Sequence, residues 1–259
     1  LGHMIEKEES EGQPMTHQYV PSGSVASLLP ALAILCGATA LQADVDVAPV
    51  VGMSVSGGSG WSYWLDSDVD GATGFDAETN HHLYEGGALW AECDVWWDHW
   101  VEVDPGLGFG FTVTNNLDVV EEFTLVALVE VPGWSRGTLI NASLGGSVTD
   151  SNFDGFAELA GSSDGLLTTF LDGTKQLDVG PGITATVRNY GGTSGIGIYN
   201  TPVVAGPGST DGLLEIELSF TLTPGDTAAL TGAFVVNYVP APGALLAFAG
   251  FGVARRRRR

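Results

Sequence analysis

The stretch Leu214-Glu215-Ile216-Glu217-Leu218-Ser219-Phe220-Thr221-Leu222 alternates without a break. Its large apolar side chains fall on one side of an extended chain, and Glu215, Glu217, Ser219 and Thr221 fall on the other. Successive side chains of a β-strand point to opposite faces, so this is a strand with one face in a core and one in water. Thr223-Pro224-Gly225-Asp226 follows with turn residues, and Leu230 to Tyr238 predicts a partner strand.

Outward from that pair, the same alternation predicts strands over Gly108–Thr114, Phe123–Val131, Thr138–Val148, Leu166–Leu171 and Ile183–Arg188. Leu171-Asp172-Gly173-Thr174 carries the Asp-Gly signature of a tight hairpin. No stretch between Asp44 and Tyr238 has the 3.6-residue apolar period of a helix. The 37 glycines mostly separate short runs rich in Val, Thr, Leu and Phe, which suits many short strands joined by turns. The fold class is therefore all-β: an antiparallel β-sandwich or jelly-roll-like body spanning 44–238.

The charge is unevenly distributed. The whole chain carries −22. Five of its nine basic residues are Arg255 to Arg259 and a sixth is Lys7, leaving Arg136, Lys175 and Arg188 in the acidic body. So negative a surface repels nucleic-acid phosphate, which excludes nucleic acid as a partner. It attracts divalent cations and keeps an exported protein soluble. Cys36 and Cys93 are the two cysteines. If Cys36 leaves with an export segment, no internal disulfide is available and the fold rests on its core.

Both ends read as address signals. Residues 1–14 are polar and acidic and form an upstream extension, with Met15 as a start. From Val25 the chain runs VASLLPALAILCGATAL, an apolar segment followed by small residues and Asp44. That order makes 15–43 a secretory signal peptide, cut after Ala40 or Ala43. At the other end Val239-Pro240-Ala241-Pro242-Gly243 precedes ALLAFAGFGVA and then Arg255, Arg256, Arg257, Arg258 and Arg259. The apolar part is far shorter than the roughly 20 residues of a stable transmembrane helix, and an arginine cluster holds its side in the cytoplasm. The geometry is that of a transient membrane insertion.

The order Pro-x-Pro, short apolar segment and terminal arginine cluster over 239–259 resembles the PEP-CTERM sorting signal of bacterial envelope and biofilm-matrix proteins. Ala241 stands at the middle position where Glu is usual, giving a VPAPG form similar to the planctomycete-type variant. The resemblance implies recognition and cleavage near the Pro-x-Pro by an exosortase-like membrane enzyme. It also implies a location in the cell envelope or outside it. Asn115-Asn116 leading into Glu122-Phe123-Thr124-Leu125, with Gly146 to Gly155 further on, resembles the β-sandwich bodies that accompany such tails; it implies no activity.

Within the body two segments open like calcium loops. Asp66, Asp68 and Asp70 precede Gly71, and Asp150, Asn152 and Asp154 precede Gly155. Alternate oxygens converge on a hard cation when the glycine permits a sharp turn. Ala77 and Gly161 stand where a bidentate Glu would complete each loop, so an ordinary Asp/Asn/Gly turn fits as well. Calcium is the one cofactor these residues suggest.

Six of the seven tryptophans, Trp61, Trp64, Trp90, Trp96, Trp97 and Trp100, fall within forty residues. If Trp61, Trp64, Trp96 and Trp97 stood exposed in a row, they would stack sugar rings, with carboxylates taking the hydroxyls, and an extracellular polysaccharide would be the partner. Core packing is the competing reading for most of them. His81, His82, Cys93 and His99 match no strong metal-ligand spacing. Glu92, Asp94, Asp98 and Glu102 could supply an acid–base pair, but a carboxylate-rich chain contains such pairs by chance. No nucleophile elbow, zinc-protease helix or phosphate-binding loop occurs. Two functional readings stand: a non-enzymatic envelope or matrix protein, and a carbohydrate-binding module, with a glycosidase behind both.

Overall fold

The computed structural model describes residues 49–66, 71–102, 105–134 and 137–238. The export segment, the Pro240-Ala241-Pro242 motif with its arginines, and Asp68 and Asp70 lie outside the described residues. The chain divides between Asp44 and Val45, and everything described belongs to the second unit.

That unit is an antiparallel β-sandwich. Among the described residues sixteen strands form two sheets, and no helix occurs. Sheet A contains β1 (Val51–Gly57), β2 (Ser62–Asp66), β7 (Glu121–Glu130), β9 (Ala157–Gly161), β10 (Leu167–Leu171), β11 (Thr174–Val179), β12 (Thr184–Val187) and β15 (Leu213–Leu222). Its order is β11-β10-β15-β7-β1-β2, with β9 on the last residues of β15 and β12 beyond β9. Sheet B contains β3 (Gly71–Asp76), β4 (His81–Leu89), β5 (Cys93–Glu102), β6 (Gly106–Asn115), β8 (Thr138–Thr149), β13 (Thr193–Asn200), β14 (Val204–Ala205) and β16 (Thr227–Tyr238). Its order is β13-β8-β16-β6-β5-β4-β3, with β14 also on β8.

The core follows from the alternation. Leu214, Ile216, Leu218, Phe220 and Leu222 are all buried, as are Phe123, Leu125, Ala127 and Val129 opposite them on β7. From sheet B, Phe109, Phe111, Leu144, Leu230 and Phe234 belong to the same buried cluster. The hairpin at Leu171-Asp172-Gly173-Thr174 forms between β10 and β11, with positive φ at Asp172 (50°) and Gly173 (71°). Two left-handed central residues make the turn whose twist suits paired strands.

One expectation is corrected. Leu230–Tyr238 is a strand but not the partner of Leu214–Leu222. β15 pairs with β7 and β10 in sheet A, whereas β16 pairs with β6 and β8 in sheet B. Thr223-Pro224-Gly225-Asp226 is an arch between the layers, because both strands bury an apolar face on one core from opposite sides. Thr223 and Asp226 are buried in that corner, where the Thr223 hydroxyl donates to the Asp226 carboxylate.

The links from β6 to β7 and from β8 to β9 also change sheets, and all three arches meet at one end. Buried Asn115 ties the β6–β7 arch to the β15–β16 arch: its amide donates to the carbonyls of Val119 and Leu222, both at 2.9 Å, and its backbone accepts from Gly225.

Candidate functional site

The outer face of sheet B carries the candidate site, a groove of about 800 Å³. Its floor is set by residue size. The outward positions of β6 include Gly110 and Thr112, those of β16 Ala229 and Thr231, and those of β8 Gly145 and Ser147. Side chains this small leave the middle of the sheet low, and the strands on either side stand above it. The floor from β5 to β8 crosses three strand spacings, roughly 14 Å.

Trp96 forms the aromatic rim. It sits on the outer face of β5, opposite Gly87 on β4 and Thr112 on β6, and is 56% exposed. The indole lies flat over Gly87, because a Cβ there would stand 2.2 Å from the ring. Two residues on, Asp98 faces the same way, directly opposite Glu85 of β4. Both carboxylates are exposed and line the groove with Thr112, Ser147 and Thr231. An indole face beside carboxylates and hydroxyls can hold a sugar ring, with stacking on the apolar face and hydrogen bonds to the hydroxyls.

The other tryptophans are placed differently, so the four-residue row is corrected to one residue. Trp97 points inward and is buried. Trp61 is half-buried, lies over Gly57 and meets Phe123 edge-on at 5.8 Å. Trp90 stacks on Tyr63 at 4.4 Å, and the Tyr63 hydroxyl donates to Glu92 at 2.6 Å. These rings join the edge of sheet A to the β4–β5 turn. Trp64 is 73% exposed but stands on β2, in the other sheet from Trp96. Trp100 lies over Gly108 and stacks on His81 at 4.3 Å.

The remaining candidates are not brought together. Among the described residues no group of three or more His, Cys, Asp or Glu side chains is placed to hold a metal ion. His99 and Cys93 point into the core, while His81 lies outside on Trp100. Burial pushes the Cys93 thiol up to about 12, with Asp94 and Glu92 adding to the shift, so it is no ready nucleophile or ligand. Asp94 accepts from Asn116 at 2.7 Å, and Glu102 lies 4.0 Å from His81.

The loop at Asp150 has a structural explanation. Asp150 is buried in the β8–β9 arch, and its carboxylate accepts the backbone N–H groups of Asp154 (3.2 Å), Gly155 (3.0 Å) and Gly191 (3.0 Å). Asn152 donates to the Pro224 carbonyl at 2.7 Å, and Asp154 accepts from the Phe156 N–H at 2.8 Å. These oxygens organise a turn, and Asp150 and Asn152 both accept the Asp154 N–H, at 3.2 and 2.9 Å. Of the first loop, Asp66 ends β2.

Glu85, Thr112, Ser147 and Thr231 escaped the sequence reading, since nothing local marks them. Their signal is the run of small residues at alternate positions, Gly110 and Thr112 on β6, Gly145 and Ser147 on β8, and Ala229 and Thr231 on β16. It becomes meaningful only once three such strands lie side by side.

No protein-family model matches the chain, and no curated protein matches it. Among solved structures it resembles TmCBM61, a carbohydrate-binding module solved in complex with beta-1,4-galactotriose. The identity is 16%, over 61% of this chain and 88% of that one, with a TM-score of 0.28.

Proposed function

We propose that this chain is a non-catalytic, polysaccharide-binding β-sandwich of the cell envelope or extracellular matrix, exported by its N-terminal segment and sorted through its PEP-CTERM-like tail. The observation that carries the binding role is the groove on sheet B, with the exposed face of Trp96 beside two carboxylates and a small-residue floor. Laid across that floor, a glycan of about three pyranose rings finds stacking at one rim and hydroxyl partners along its length. A binding role is favoured over glycoside hydrolysis by the placement of Glu85 and Asp98. Both stand exposed on an open sheet face, whereas a hydrolase shelters one carboxyl from water so that it stays protonated as the general acid.

Affinity electrophoresis through gels cast with different polysaccharides tests the binding role. At least one polysaccharide should retard the protein, and Trp96→Ala should run unretarded; retardation by none would overturn the reading. Mass spectrometry of the protein from its own cells tests the sorting role. An end near Pro240 is expected, and a chain intact to Arg259 would overturn it.

A further inference from the structure

We propose that the groove is built for an amine-bearing, positively charged glycan, a polymer with unacetylated 2-amino-2-deoxy sugar units, whose ammonium sits between Glu85 and Asp98 while a ring stacks on Trp96. This rests on the polysaccharide-binding reading and gives its ligand a chemical class.

The register places Glu85 and Asp98 directly opposite on β4 and β5, so their Cβ atoms are about 5 Å apart. Like charges so placed repel one another, at a cost the fold need not bear. Neighbouring carboxylates are engaged: Glu92 by the Tyr63 hydroxyl, Asp94 by the Asn116 amide, and Glu102 by His81. Glu85 and Asp98 accept no hydrogen bond and join no ion pair among the described residues. They are the two that flank the Trp96 platform.

The described cations stand elsewhere. Lys175 pairs with Asp178 at 2.8 Å, and Arg188 lies over the Phe156 ring at 5.7 Å. A uronic-acid or sulfated polymer would meet two uncompensated carboxylates in a chain of net charge −22. A neutral sugar would donate hydroxyl hydrogen bonds to them and leave the repulsion in place. A divalent cation needs six to eight oxygens, and no third acidic or imidazole group joins the pair among the described residues. An ammonium donates up to three hydrogen bonds and cancels charge at once, and charge-assisted hydrogen bonds are about twice as strong as neutral ones. Trp96 and Asp98 are two residues apart on one strand, about 6.8 Å, within the span of one ring and its amine.

The test is a tryptophan-fluorescence titration of the full chain with three hexasaccharides of the same linkage: glucosamine, N-acetylglucosamine and glucose. With the amine protonated, the glucosamine hexamer should bind at least about tenfold tighter than the other two. The advantage should vanish at a pH where the amine is neutral, and in the Glu85→Gln/Asp98→Asn double variant. The Glu215→Gln/Glu217→Gln double variant changes net charge equally on the outer face of sheet A. It should keep the preference, which separates the site from the field of the whole molecule. Equal binding of the three hexamers, a preference surviving Glu85→Gln/Asp98→Asn, or binding that appears only with added calcium would each overturn the amine assignment. Failure of every glycan to bind would instead overturn the polysaccharide reading beneath it. Both groove substitutions are isosteric and exposed, and an unchanged melting temperature shows that the fold is intact.

Discussion

The indole of Trp96 lies directly over Gly87, so close that a Cβ at Gly87 would stand 2.2 Å from Cε3. Glycine here keeps an exposed ring flat on the sheet. Gly87→Ala should tilt the ring off its seat and weaken glycan binding by about tenfold, or about 1.4 kcal/mol. The melting temperature should move little, because an exposed ring can swing aside. A shift in tryptophan emission with unchanged affinity would contradict this account.

Trp64 and Trp96 are both prominent on the surface but belong to different sheets. Trp96→Ala should lower affinity by about 2 kcal/mol or more, at least thirtyfold. Trp64→Ala should leave affinity within about twofold. Equal losses would show that the ligand wraps around the sandwich and that the groove is only part of its path.

Asp150 holds two arches together, since Asp154 and Gly155 belong to its own loop and Gly191 comes 41 residues later. Across the same junction, the Phe153 ring covers Gly191 and Tyr190 covers Gly155, with Phe153 held at a positive φ of 60°. Asp150→Ala leaves the Gly155 and Gly191 N–H groups without their acceptor, while the Asp154 N–H keeps Asn152 at 2.9 Å, and should cost about 2–4 kcal/mol in urea unfolding. Asp150→Asn should be nearly as harmful, because its NH2 group would face donors. If Asp150→Asn matched the parent in stability, the latch would be refuted.

His99 is the odd residue of the core. It is fully buried, its ring nitrogens meet no side-chain partner and have at most the Asp98 backbone carbonyl, and Phe111 meets it edge-on at 4.6 Å. Burial pushes its imidazole down to about 4, against an ordinary value near 6.5. Between those values the unfolded chain takes up a proton that the folded chain refuses. The stability linked to neutral His99 is therefore complete above about pH 6.5 and is lost as the pH falls toward 4, reaching about 3 kcal/mol. His99→Met should raise stability by about 1–2 kcal/mol at neutral pH and flatten the acid limb. Parallel pH profiles for parent and variant would contradict this.

The sequence shows strands best where one face is purely apolar. β15 is read almost residue by residue because Glu215, Glu217, Ser219 and Thr221 keep its outer face polar. β5 hides the same period. Its outward positions include Trp96 and Trp100, and its inward ones include His99, so the polar and apolar sides look alike. The groove was legible only through Trp96 and Asp98, residues noticed for their chemistry. Its floor depends on which strands become neighbours, and the β15–β16 arch shows why that is not local information. A Pro-Gly-Asp turn between two alternating runs suits a hairpin and a change of sheet equally, and the choice is made by the core beneath.

β16 is hydrogen-bonded to β8 from Thr227 to Tyr238 and to β6 from Thr227 to Val235. The described chain therefore ends on a strand clasped along nearly its whole length, within the sheet that carries the groove. A pull on that end, resisted by a ligand in the groove, loads the two ladders in shear, so many hydrogen bonds must fail together rather than unzip one by one. In the role proposed above, such a strand would carry force between a surface and a polymer without unravelling.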